Sequence, residues 1–102
     1  MQIEFESKNL DVTPSLQQYA REKMDKIEKR WGDRITRVRV FISDINSTKG
    51  GTDKHCTIEA RLAGIQPVVA EATADKAYDA VNAAVDKLIR VLEHETKNRH
   101  AH

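Results

Sequence analysis

The side chains of this chain best suited to chemistry are cations spaced along two helical segments, and the chemistry they suit is binding of a polyanion. Lys76, Lys87, Arg90, His94 and Lys97 gather within roughly 80° of one another when the segment is wound at about 100° per residue. On the same segment Tyr78, Val81, Val85, Leu88 and Leu92 recur three or four apart, an apolar stripe that docks a helix on a core. Earlier in the chain Lys23, Lys26 and Arg30 lie within roughly 60° of one another, with Tyr19 on that flank and Glu22, Asp25 and Glu28 pointing away. Lys and Arg are also the ordinary solvent-facing residues of an amphipathic helix, so this pattern points only weakly to a ligand. Two such helices side by side on one sheet face could merge their stripes into a single cationic surface. Phosphates meeting that surface would release counterions, and affinity would fall steeply with salt. No base-reading geometry is evident, so shape and backbone would have to give the selectivity.

Groups for covalent chemistry are poorly disposed. His55 and Cys56 are neighbours in an extended segment, so their side chains point to opposite faces and cannot form a nucleophile–base pair. Cys56 reads as a small core residue. Asp79, Asp86 and Glu93 recur every seven residues and look solvated, whereas general acid–base work needs a cleft with shifted pKa values. His94, His100 and His102 could catch a metal ion, although three histidines near a fraying end more often do nothing. Gly50-Gly51 lacks both the spacing and the Lys-Ser/Thr of a phosphate-binding loop. Trp31 and Tyr78 lie on apolar stripes and read as core, not as base-stacking platforms. Binding without chemistry is therefore expected, with no catalytic residue, cofactor or metal.

Composition agrees with a small binding domain. A chain of 102 residues forms one domain with one modest core and little room for a deep substrate cavity. With 17 Lys+Arg against 16 Asp+Glu, the net charge is only +1, so a polyanion site must come from how charge is distributed. A single cysteine, Cys56, excludes an internal disulfide and a cysteine-rich zinc site, and fits a reducing compartment. Glu4 and Glu6 stand where a signal peptide needs basic and then apolar residues, and no apolar run approaches bilayer length. A cytoplasmic protein without membrane contact is expected.

The elements that must position these residues follow from periodicity. Ile3, Phe5 and Ser7 alternate with polar neighbours in a first strand. Thr13-Pro14 supplies an N-cap hydroxyl and a first-turn proline for a helix carrying Leu16, Tyr19, Ala20, Met24, Ile27 and Trp31, and Gly32 is placed to end it. Val38, Val40 and Ile42 mark a second strand, residues 46–53 a flexible hairpin turn, and Cys56, Ile58, Ala60 and Leu62 a third strand. Gly64-Ile65-Gln66-Pro67 turns the chain into a short fourth strand over 68–73. A long helix over about 75–96 closes the domain, with 98–102 a flexible tail. The order β-α-β-β-β-α predicts a two-layer α+β domain, two helices on one face of a four-stranded, mostly antiparallel sheet. That arrangement also resembles double-stranded-RNA-binding domains.

This order, together with acidic-x-x-Tyr-x-Ala-Val/Ile-x-x-x-x-Asp-Lys-Leu-x-Arg-x-Leu from Asp75 to Leu92, resembles the ribosome hibernation promoting factors. That family includes ribosome-associated inhibitor A and the sigma-54 modulation proteins. Ile3, Thr13-Pro14 and Lys23-x-x-Lys26-Ile27-Glu28 agree with it, and the resemblance covers roughly residues 1–97. It implies a non-enzymatic factor on the decoding region of the small ribosomal subunit, filling the path of mRNA and tRNA and silencing translation. Matched positions carry the rRNA-contact role to Lys23, Lys26, Lys87 and Arg90; Arg30, Lys76 and Lys97 join them from the cationic stripes. Lys76-Ala77 departs from the usual acid and Met, and Glu93 and Glu95 stand where basic residues are commoner. The chain ends without an acidic tail or a second dimerisation domain, so it resembles the short form, which promotes ribosome pairing with a second small hibernation factor. Two other readings stay open: a general double-stranded-RNA-binding module, and a small α+β enzyme acting on a phosphorylated metabolite.

Overall fold

The computed structural model describes residues 1–45 and 53–100, with side chains described as far as Lys97. Along the chain run β1 (Gln2–Lys8), α1 (Pro14–Lys23), α2 (Asp25–Trp31), β2 (Ile35–Asp44), β3 (Lys54–Leu62), β4 (Val68–Ala74) and α3 (Ala77–His100). The sheet order is β1-β2-β3-β4. β1 pairs parallel to β2, as a strand returning through a helical crossover must, and the other two pairings are antiparallel.

Period-two alternation decides which sheet face is buried. Val38, Val40 and Ile42 on β2 stand beside Ala60, Ile58 and Cys56 on β3, and these stand beside Val68, Ala70 and Ala72 on β4. All nine are buried, and Ile3 and Phe5 extend the row onto β1. The helices cover this face: α3 lies over β4 and β3, with α1 alongside it. Small side chains on both partners, Ala70 and Ala72 on β4 and Ala80 and Ala84 on α3, suit a close approach of helix to sheet. The expected two-layer fold is the observed one.

Two boundaries differ from expectation. The first helix divides at Met24, whose φ of −83° and ψ of 2° interrupt the helical geometry. Hydrogen bonding runs on through the break: Met24 N–H donates to Ala20 O and Glu28 N–H to Met24 O, both at 3.0 Å. The Met24 side chain is fully buried, so α1 and α2 share one apolar stripe across the kink. Thr13 caps α1 as expected, its Oγ1 accepting from Leu16 N–H at 3.1 Å, with Pro14 in the first turn. Gly32 ends α2 in the right-handed helical region, not the left-handed one expected of a capping glycine. What it provides is room, because a Cβ there would collide with the Glu28 carbonyl oxygen. The last helix continues to His100, so the tail expected from Asn98 is helical backbone for three residues. The hairpin turn, including Gly50-Gly51, lies outside the described residues except for Asp53, as do His102 and the His100 side chain.

Candidate RNA interface

Most charges on the open face of the sheet are paired with one another, although Arg37 Nε is buried without a hydrogen-bond partner among the described residues. Glu6 pairs with Arg39, whose guanidinium pKa is raised chiefly by that hydrogen bond. Glu4 lies 3.8 Å from Arg37, Glu59 3.6 Å from Arg61, and Glu71 3.6 Å from His55. At the base of the β2–β3 hairpin, Lys54 bridges Asp53 at 2.8 Å and Asp44 at 3.4 Å, and the Asp53 hydrogen bond is the main cause of its raised pKa. Ion pairs of this kind, across strands for Glu6–Arg39 and Glu4–Arg37 and within β3 for Glu59–Arg61, neutralise much of a sheet face and give a polyanion little to hold. His55 faces this side while Cys56 is fully buried on the other, as alternation requires. Burial pushes the Cys56 thiol up to about 12, which keeps it protonated and unreactive at neutral pH.

The helical layer is different. Lys23, Lys26, Lys76, Arg90 and Lys97 are all exposed, and none is held in an ion pair among the described residues. Lys76 stands at the start of α3, where its carbonyl accepts from Ala80 N–H at 3.0 Å. A cation at that end opposes the helix dipole, so its position is not explained by helix stability. Lys87 is exposed and reaches back to donate to the Glu71 carbonyl on the edge strand β4 at 3.0 Å. Arg30 is more committed. Its Nη1 donates to Glu93 Oε2 at 2.9 Å while its guanidinium lies 4.1 Å from the Trp31 ring centroid. Beneath it Trp31 Nε1 donates to Thr96 Oγ1 at 3.3 Å, so the end of α2 is fastened to the last turns of α3.

The two cationic stripes do not fuse. The groove between the helices is lined by Glu22, Lys23, Asp25 and Lys26 on one side and by Val85, Asp86 and Ile89 on the other. Asp86 and Glu93 thus form a carboxylate row on the flank of α3 that faces α1 and α2. The result is one cationic ridge bearing Lys23 and Lys26 and another bearing Lys76, Lys87 and Arg90, with mixed charge between them, while Lys97 lines a depression with Arg30, Glu93 and Thr96.

One expectation is overturned by the packing. Trp31 is buried as expected, but Tyr78 is 41% exposed and lies outside the hydrophobic core. It meets Tyr19 of α1 edge-to-face, with ring centroids 5.0 Å apart and planes at 73°. Lys23 Nζ lies 5.7 Å from the Tyr19 centroid on the same ridge. Tyr78 follows the apolar stripe in sequence, but it sits in the first turn of α3, where the neighbour is α1 and not the sheet.

Comparison with known proteins agrees with this architecture. A ribosome hibernation promoting factor of Acinetobacter guillouiae is 30% identical over 102 residues, covering 95% of this chain and 88% of that protein. Another, of Azotobacter vinelandii, is 35% identical over 100 residues, covering 95% and 85%. Among solved structures, a ribosomal subunit interface protein from Coxiella burnetii matches with a TM-score of 0.75 at 24% identity over all of both chains. The N-terminal domain of Protein Y from Thermus thermophilus matches with a TM-score of 0.77 at 23% identity, covering 92% of this chain and 98% of that one. These two likenesses carry the fold. The description Sigma 54 modulation protein / S30EA ribosomal protein matches residues 3–100, nearly the whole chain, and with the two curated relatives it shows that this protein belongs to that family.

Proposed function

We propose that this protein is a cytoplasmic, non-enzymatic ribosome hibernation factor that binds rRNA in the decoding region of the small subunit and silences translation by occupying the mRNA and tRNA path. The observation that carries the reading is the segregation of charge. Unpaired cations stand on the helical layer, while on the sheet face Glu4–Arg37 and Glu6–Arg39 pair across strands and Glu59–Arg61 along one. Lys23, Lys26, Lys76, Lys87, Arg90 and Lys97 supply the phosphate contacts; Arg30 contributes mainly by fastening α2 to α3 through Glu93. The curated relatives bear the name of ribosome hibernation promoting factors, which favours a ribosomal target over an arbitrary duplex. Pairing of silenced ribosomes, aided by a second small hibernation factor, is part of the proposal and rests on the family resemblance alone.

Among the described residues the one strongly shifted group, the Cys56 thiol, is buried away from any substrate. A sedimentation experiment separates the ribosomal reading from general RNA binding. The protein is expected to co-migrate with purified small subunits in low salt, to be released as salt rises, and to bind a naked RNA duplex far more weakly. Equal affinity for duplex and subunit would favour the general RNA-binding module.

A further inference from the structure

The Tyr19–Tyr78 pair is an aromatic surface that the core does not require. In an edge-to-face contact, the ring supplying the edge keeps both faces open and the ring supplying the face keeps one. Whichever role Tyr78 plays, Tyr19 leaves at least one of its faces uncovered while fixing its orientation. The pair borders an open depression between α1 and the start of α3, lined also by Pro14, Ser15, Gln18 and Glu22. Its polar lining is rich in acceptors: Gln18 Nε2 already donates to Glu22 Oε2 at 3.2 Å, leaving carbonyl and carboxylate oxygens to receive N–H groups. A carboxylate there repels phosphate but accepts from the amino and imino groups of a base edge. One cation borders the depression, Lys23 beside Tyr19.

From this geometry we propose that Tyr78 is a stacking platform for one unpaired nucleobase, with Tyr19 as its positioning residue, Gln18 and Glu22 at the base edge, and Lys23 on an adjoining phosphate. The inference rests on the RNA-binding reading and sharpens it. The protein would grip an unstacked nucleotide at this point, in addition to following the backbone of a helix. Aromatic stacking tolerates any base, because every base has a π face, so the site selects for single-strandedness and not for sequence.

The test compares the whole protein with Tyr78→Phe and Tyr78→Leu on three probes: purified small ribosomal subunits, a short single-stranded RNA and an RNA duplex of the same length, each at two salt concentrations. Stacking predicts that the Leu variant loses about tenfold in affinity for the subunit and the single strand, while the Phe variant stays within about twofold of the parent. The duplex should be unaffected, and the salt dependence should be unchanged because no charge is removed. Since Tyr78 lies outside the core, the melting temperature should barely move. Undiminished single-strand binding by the Leu variant, or an equal loss in the Phe variant, overturns the proposal. If the parent ignores subunits but the Leu variant still loses single-strand affinity, the ribosomal reading falls and the stacking site stands. If subunits bind parent and Leu variant equally, the stacking site falls and the ribosomal reading stands.

Discussion

Reversing Lys87 and Arg90 together to Glu is expected to weaken binding to the small ribosomal subunit by orders of magnitude. On the proposed interface each reversal would remove a phosphate contact and add a repulsion inside a strongly negative field. The slope of log affinity against log salt should also fall by about two, one unit for each phosphate no longer neutralised. The fold should survive, because both side chains are exposed and lie off the buried stripe of α3. The double variant loses the Lys87 hydrogen bond to the Glu71 carbonyl, but surface changes of this kind usually stay within about 0.5 kcal/mol. A folded double variant that co-sediments as well as the parent in the same salt would remove the α3 ridge from the interface.

Leu88→Ala should have the opposite profile, a large loss of stability with no direct effect on the RNA contacts. Leu88 is fully buried, one turn from Val85 and Leu92 on the stripe that meets the sheet. Emptying such a site costs about 2–5 kcal/mol, the spread depending on how far the neighbours can collapse. In a domain of this size that loss lowers the melting temperature by roughly ten degrees or more. Chemical and thermal denaturation of the purified variant measure it directly. Stability near that of the parent would mean that α3 does not dock through this stripe.

Much of this contrast was legible in the sequence because helix and strand periodicities assign faces without knowledge of the partner. Leu88 and Arg90 are two residues apart, and winding at about 100° per residue sends them to different sides of α3. Alternation likewise placed Cys56 inward and His55 outward, as observed. The break at Met24 was not legible. Leu16, Ala20, Met24, Ile27 and Trp31 keep helical spacing across it, and no Pro or Gly marks the kink.

Relations between helices were harder to read than those within one helix. Winding each helix separately puts its cations on one flank, but does not say which flank faces the neighbour. Asp86 and Glu93 lie in that seam, so beside Lys23 and Lys26 the two cationic flanks that could have merged stay apart. The spacing of Arg30 matches that of Lys23 and Lys26 and predicts an RNA contact; its bond to Glu93 depends on a residue 63 positions away. Tyr78 was read as core for the same reason. The stripe through Val81, Val85, Leu88 and Leu92 extrapolates back to it, but the first turn of α3 meets α1 instead of the sheet.

Silencing by occupation is the central claim, and competition on the small subunit tests it most directly. Purified subunits would be loaded with the protein and then challenged with initiator tRNA and mRNA, and also loaded in the reverse order. The account predicts mutual exclusion: whichever arrives first blocks the other. Inhibition should be strong when the protein precedes initiation, weak on ribosomes already elongating, and fully reversed by a salt wash, because phosphate contacts dominate and no bond is made or broken. Stoichiometric binding of the protein and initiator tRNA to the same subunit would contradict it, even if binding to the subunit itself were confirmed.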